Sequence, residues 1–248
     1  MWPLLLALLL LATAAMAQQR PALPGIEGDD DRRTVEVLDH PWSAIGRVNR
    51  RTGGFCTGTL VAPDLVLTAA HCLWNRRTQA WLPPDALHFV TGYSRGAWLA
   101  ERAVAAITIS SAIRVDAGGR LRDMATDWAL LRLVAPLTAV RAVPVVAEGT
   151  ALSSHLAVQQ GGYSRDRAHV LTAVNACRLT PDAPPGLLRH DCDATFGDSG
   201  SPILWRRDAE WFVVGVHVAA QRSAAGAVGL AVAVPPLADL YAALRRPR

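Results

Sequence analysis

Lysine is absent from this sequence: all 25 basic side chains are arginine, set against 21 acids for a formal net charge of +4. The arginines fall in scattered pairs (Arg32-Arg33, Arg50-Arg51, Arg76-Arg77, Arg206-Arg207, Arg245-Arg246) with no aromatic residues interleaved among them. A nucleic-acid surface needs basic residues gathered on one face and stacking rings between them. That pattern is missing, so no nucleic-acid partner is expected and the arginines read as a solvated basic surface. Long apolar runs are equally scarce. The stretch from Leu4 to Ala12 is too short to cross a bilayer, and Ala15-Met16-Ala17 behind it is a small-x-small cleavage site. The expectation is a signal peptide over residues 1–17, a secreted or periplasmic chain starting at Gln18, and no stable membrane anchor. No Lys or Arg precedes the apolar run, which leaves the terminal amine as its only positive charge. Internal repeats and low-complexity tracts are also missing.

Four cysteines are present, without a Cys-x-x-Cys or His-x-x-x-His spacing. A zinc site from Cys56, His71 and Cys72 therefore lacks its usual signature, and no metal or cofactor is expected. In an exported chain four cysteines permit three disulfide pairings. Joining sequence neighbours, Cys56 with Cys72 and Cys177 with Cys192, is the economical one. Each closed loop would stabilise the fold by about 3 kcal/mol, and the first would hold His71 in place.

The 248 residues, 51% of them hydrophobic, suffice for one domain or two small lobes with a sizeable core. Residues 18–33 carry Pro21, Pro24, Gly25, Gly28 and the acidic run Asp29-Asp30-Asp31, a surface segment or short propeptide. Beyond Pro41-Trp42 short apolar runs alternate with turn residues. They predict strands at 55–61, 65–68, 87–91, 128–134, 156–159, 170–176, 201–205, 211–218 and 230–234, an all-β barrel or sandwich. Leu237, Leu240, Tyr241 and Leu244 follow Pro235-Pro236 at helical spacing and predict a C-terminal α-helix. A lobe boundary near 136–144 divides the chain into residues 34–140 and 141–248.

Three stretches carry chemistry. Phe196-Gly197-Asp198-Ser199-Gly200-Ser201-Pro202 presents a serine between glycines, a nucleophile beside backbone N–H donors that can be turned toward one point. It differs from the Gly-x-Ser-x-Gly elbow because position 201 is serine. Leu65-Val66-Leu67-Thr68-Ala69-Ala70-His71-Cys72 ends a hairpin at a histidine, a candidate base. Asp127 opens the apolar strand Trp128-Ala129-Leu130-Leu131-Arg132-Leu133, where a carboxylate could fix the imidazole tautomer. Alone, each has an ordinary structural reading: a turn, a structural histidine, a strand-end cap.

Thr68-Ala69-Ala70-His71-Cys72, Asp127-Trp128-Ala129-Leu130-Leu131 and Gly197-Asp198-Ser199-Gly200-Ser201-Pro202, in that order, resemble the three signature blocks of chymotrypsin-like (trypsin-like) serine proteases. The resemblance runs from about residue 25 to 248. It is nearest the bacterial branch that includes the glutamyl endopeptidases, by Asp30-Asp31-Arg32, Ser43-Ala44-Ile45-Gly46, Cys56-Thr57-Gly58-Thr59-Leu60 and Gly162-Tyr163. Departures are Asp198, where that branch commonly has Asn, and Thr195, which removes a disulfide that animal trypsins place beside the nucleophile.

The resemblance implies two antiparallel six-stranded β-barrels, with the site in the cleft between them. It implies a secreted serine endopeptidase, the alternatives being a catalytically silent binding module and an esterase of the same fold. The substrate would be a polypeptide and the protein a monomer. His71, Asp127 and Ser199 take the triad roles, and the Gly197 and Ser199 N–H groups form the oxyanion hole. Asp193, six positions before Ser199, stands where trypsins carry the acid that binds Arg or Lys, while His217 stands where glutamyl endopeptidases bind a carboxylate. The reading leans toward basic P1 residues through an inward Asp193; the alternatives are an Asp193 that only bonds backbone in the loop after Cys192, and one that turns away and leaves His217 to accept acidic residues. Maturation is expected near Gly25 or Ile26, the alternative being after Arg33, although Thr34-Val35-Glu36 lacks the usual Ile-Val-Gly-Gly. Asp198 would then pair with the new amine.

Overall fold

A computed structural model describes residues 23–26, 28–147, 149–223 and 226–234. Its strands are β1 (Arg33–Thr34), β2 (Ile45–Arg50), β3 (Phe55–Ala62), β4 (Leu65–Thr68), β5 (Trp74–Asn75), β6 (Ala80–Trp81), β7 (Leu87–Thr91), β8 (Ala100–Ile109) and β9 (Ala129–Leu133). After a long connection come β10 (Ala157–Gly162), β11 (Thr172–Thr180), β12 (Leu187–His190), β13 (Pro202–Arg207), β14 (Glu210–Ser223) and β15 (Gly226–Ala233). Strands β2, β3, β4, β9, β8 and β7 close an antiparallel barrel. A second ring runs β10, β11, β12, β15, β14, β13 and back to β10. These are the two six-stranded barrels that the resemblance implies. The expected helix around 237–244 and the signal peptide at 1–17 lie outside the described residues.

All nine expected strands are present, 65–68 and 87–91 with the expected ends and the others with shifted ones. Besides the two-residue strands β1, β5 and β6, the strands β2, β8 and β12 are unexpected and carry weaker local signals. Gly46 and two arginines interrupt the apolar pattern of β2, β8 is alanine-rich and only partly buried, and β12 is four residues behind Pro184-Pro185-Gly186. Their place is set by barrel closure: β8 bridges β7 and β9, and β12 bridges β11 and β15. Arg33–Thr34 pairs with β11 of the second barrel, so the chain touches that barrel before it enters the first.

The β3–β4 hairpin turns on Pro63 and Asp64 with Ala62 opposite Leu65, a tight turn in which proline presets the backbone. The Asp64 carboxylate meets Arg132 of β9 at 3.1 Å, and both side chains are buried. The strand that leads back from Asp127 is thereby fixed to the hairpin that leads to His71. Both disulfides form between sequence neighbours, Cys56 with Cys72 and Cys177 with Cys192.

Thr57 on β3 joins the two barrels. Its hydroxyl donates to Gly197 O at 3.1 Å and accepts from the Tyr163 N–H at 2.9 Å, while its own N–H donates to Ser199 O at 2.9 Å. Thr68 completes the arrangement by donating to Thr57 O at 2.7 Å. Gly200 lies so close to this strand that a Cβ there would collide with Thr57 O and Thr68 Oγ1, and its φ of +86° favours glycine besides.

Thr57→Val keeps the shape but leaves the buried Tyr163 N–H and Gly197 O unpaired. Unfolding in urea is expected to show a loss of about 1–3 kcal/mol, with Thr57→Ser close to the parent. Equal stability of the Val and Ser variants would show that this hydroxyl does not hold the barrels.

Candidate active site

His71 projects from a short 3-10 turn (Ala70–Leu73) that follows β4, and Asp127 caps another (Met124–Thr126) just before β9. Asp127 is buried, and both its oxygens are directed at His71. One accepts the His71 backbone N–H at 2.8 Å, the other faces Nδ1 at 2.6 Å. With Nδ1 donating to the carboxylate, Nε2 is left as the acceptor. Cys56 and Cys72 are spent on their disulfide, which leaves His71 without thiolate neighbours.

Ser199 lines the same cleft of about 940 Å³ as His71, Asp127, Gly197 and His217. No hydrogen bond joins its hydroxyl to His71 among the described residues; such pairs commonly tighten only around a bound substrate. Gly197 has φ +101°, and a Cβ there would strike the Tyr163 carbonyl. The N–H groups of Gly197 and Ser199 have no acceptor among the described residues, whereas those of Asp198, Gly200 and Ser201 bond to Thr195 O, His217 O and Asp198 O. The glycine-rich turn thus has two donors uncommitted beside the hydroxyl.

Asp198 stands between these two donors in the chain. It is fully buried, and its carboxylate accepts from the Ser164 hydroxyl at 2.9 and 2.8 Å and from the Thr195 N–H at 2.8 Å. These donors are neutral; the expected pairing with a new amine concerns the processed chain. Burial raises its pKa to about 6 against the pull of these donors.

The pocket residues also separate. Asp193 is turned to the N-terminal segment, accepting the Asp31 N–H at 2.8 Å, and does not line the cleft. A carboxylate engaged by backbone fits the reading in which Asp193 bonds the chain, and it lends no support to the lean toward basic P1 residues. His217 does line the cleft, and behind it stands His190, whose Nε2 is 3.1 Å from His217 Nδ1. His190 is a site residue that the sequence reading misses, since nothing local marks a histidine on β12. Burial lowers His190 to about 3 and holds His217 well below the ordinary histidine value, the charges of His190 and His71 adding to the second effect. Both rings are neutral at physiological pH. His190 Nδ1 is buried without a partner among the described residues. A buried unpaired N–H is rarer than an unpaired acceptor, so the His190 proton belongs on Nε2 and points at His217 Nδ1. His217 then carries its own proton on Nε2, as a donor. Thr195, also lining the cleft, has a buried hydroxyl without a partner among the described residues.

The N-terminal segment closes on this wall. Gly25 O accepts from the Ala194 N–H at 3.1 Å, and Pro24 lines the cleft. Arg32, almost fully buried, is gripped by Asp30 at 2.9 Å and Asp166 at 2.8 Å, and these acids raise its pKa although burial works against them.

Known proteins place the chain by family and by fold. Residues 31–240 match the family model described as Trypsin. A stretch of 41 residues is 51% identical to the CLIP domain-containing serine protease HP8 of Bombyx mori; it is 16% of this chain and spans only 11% of that relative's length. Among solved structures, that of a Glu endopeptidase in complex with MPD has the same fold, with a TM-score of 0.73 at 20% identity over 88% of this chain and 99% of that one.

Asp198 makes the stability of the fold depend on pH. Its folded pKa lies above the unfolded value of 3.8, so the folded chain keeps a proton that the unfolded chain has released. Stability is full below about pH 4 and falls as pH rises through 6, by about 3 kcal/mol from this group. In Asp198→Asn the amide can accept from Thr195 and donate to Ser164. Urea unfolding at pH 4, 6 and 8 is expected to show this fall in the parent and its absence in the variant; matching pH profiles would contradict it.

Proposed function

Because this chain belongs to the trypsin family of serine proteases, we propose that it is a secreted serine endopeptidase acting through His71, Asp127 and Ser199. The observation that carries the reading is the two-point grip of the Asp127 carboxylate on His71, in a cleft shared with a serine whose turn holds two uncommitted N–H donors. Ser199 Oγ attacks the peptide carbonyl carbon as His71 Nε2 takes its proton. The carbonyl oxygen, now negative, is held by the Gly197 and Ser199 N–H groups. His71 returns the proton to the leaving amine, and water repeats the cycle to release the acyl group. Asp127 keeps the ring oriented and stabilises the imidazolium. A retained cradle and base favour an enzyme over a silent binding module, and a long open cleft favours polypeptide over small esters.

The P1 side chain meets Nε2–H of His217 and the Thr195 hydroxyl, two donors, with His190 fixing the tautomer. Such a pocket suits a carboxylate or a carboxamide. A P1 carboxylate would raise the proton affinity of His217 through opposite charge, so preference for Glu over Gln should grow as pH falls from 8 to 6. Two disulfides suit an exported protein, and among the described residues no helix is long and apolar enough to cross a membrane.

Maturation is assigned near Gly25 or Ile26. Cleavage after Arg33 would sever β1 beside the buried Arg32, a bond held in paired strand. A chain starting at Gly25 or Ile26 would place its amine against the Ala194 wall.

Matched peptides with Glu, Gln, Arg or Leu at P1, assayed from pH 6 to 8, test the site. Ser199→Ala and His71→Ala should each lose several orders of magnitude in turnover, and the double variant no more; near-normal turnover in Ser199→Ala would sink the mechanism. Glu and Gln should exceed Arg in the parent and lose that lead in His217→Ala, whereas an Arg preference would refute the pocket. Intact-mass measurement of the secreted protein should place its first residue at Gly25 or Ile26, and an N-terminus at Thr34 would overturn that assignment.

A further inference from the structure

Five arginines line the cleft: Arg50, Arg76, Arg77, Arg120 and Arg165. The one carboxylate among its lining residues is Asp127, which is engaged with His71. Arg50 and Arg165 form a distinct pair within this group. Arg50, at the end of β2, is half-buried and donates weakly to Cys72 O at 3.4 Å, and its Nε is buried without a partner among the described residues. Arg165 follows Ser164 in the loop after β10, is exposed, and bonds through its N–H to Phe196 O. Neither guanidinium has a carboxylate within ion-pair distance among the described residues. Both line the cleft beside the nucleophile turn, Arg50 reaching Cys72 O and Arg165 bonding to Phe196 O; burial, and next the charge of Arg165, lower the pKa of Arg50. An anion bound between two like charges, one of them partly desolvated, would be held by both.

The place of the pair limits what that anion is. The proposed P1 pocket is built on Thr195 and His217, which belong to neither β2 nor the loop after β10. The pair occupies the other part of the cleft, beside the Cys56–Cys72 disulfide and the oxyanion turn. Phe196, 60% exposed and lining the cleft, lies 5.9 Å from the Arg165 guanidinium. An aromatic shelf next to two guanidinium forks suits a side chain with methylenes below a carboxylate.

We infer that Arg50 and Arg165, with Phe196 beneath, form a subsite for an acidic side chain on the leaving-group side of the scissile bond. This makes acidic polypeptide segments the substrate class, and it rests on the endopeptidase reading only for the direction of the chain. Arg76 and Arg77, in the turn between β5 and β6, and Arg120 extend the positive field along the cleft, which steers such segments toward it.

The test holds P1 fixed and places Glu or Gln at each of the first three positions after the scissile bond. Glu at one of them should raise kcat/KM about tenfold over Gln, chiefly through KM, and the gain should shrink with added salt. In Arg50→Gln/Arg165→Gln the Glu and Gln peptides should be cleaved within about twofold of each other. Arg165→Glu changes an exposed side chain and keeps the inference testable should the double variant fold poorly; it should reverse the preference toward Lys. Equal rates for Glu and Gln at all three positions in the parent, or a Glu preference that survives the double variant, would overturn the inference. Fluorescence anisotropy with Ser199→Ala and a labelled acidic peptide reads the subsite without catalysis. If the parent cleaves nothing but this peptide binds more tightly than its Gln counterpart, the endopeptidase reading fails and the subsite stands. Cleavage that ignores charge sinks the subsite alone.

Discussion

The candidate site lies on a seam between two barrels, and Thr57 is the residue of that seam that bonds directly to the nucleophile turn. Thr57 bonds in three directions to the second barrel, through its hydroxyl to Gly197 and Tyr163 and through its N–H to Ser199. A β3 strand buried within one barrel thereby becomes the anchor for the nucleophile turn of the other. Side-chain bonds of this kind are individually modest, but in a water-free contact a misplaced partner is expensive, so they fix position more than they add stability. The close approach of Gly200 to Thr57 and Thr68 gives the same seam its tight fit. The geometry of His71 against Ser199 follows from that seam, since the two residues belong to different barrels and share no secondary-structure element.

Around the seam the electrostatics divide into a buried neutral layer and an exposed positive one. Burial holds His190 and His217 uncharged and pushes Asp198 toward its protonated form. The cleft surface by contrast carries arginines that have few acids to offset them. A neutral pocket floor recognises by direction of hydrogen bonds, and a charged rim recognises by field. On the proposed reading the two layers would favour acidic polypeptide without placing a bare cation at the bottom of the pocket, where desolvation would be costly.

Much of the arrangement is legible one segment at a time. The expected strands are those whose apolar runs end in recognisable turns, as with Pro63-Asp64. Strands β2, β8 and β12 escape because their residues are fixed by neighbours on both sides and not by their own propensity. The same distinction applies to the site. His71, Asp127 and Ser199 stand in stretches whose composition is unusual in itself, whereas Thr57, His190, Thr195, Arg50 and Arg165 are ordinary residues until the fold brings them together.

Order and identity along the chain therefore determined the family resemblance, the disulfide partners nearest in sequence, and which residues could serve as base, acid and nucleophile. They did so because each depends on local chemistry: a glycine-flanked serine, a histidine beside a cysteine, an acid opening an apolar strand. The orientation of Asp193, the partners of Asp198 and the pairing of His190 with His217 were decided only by tertiary structure. A carboxylate six residues before the nucleophile can face substrate or backbone with equal ease in the sequence, and the Asp31 N–H, brought near by the docking of the N-terminal segment, settles which. Burial likewise has no sequence signature for a single polar residue, since it is a property of what the rest of the chain packs around it.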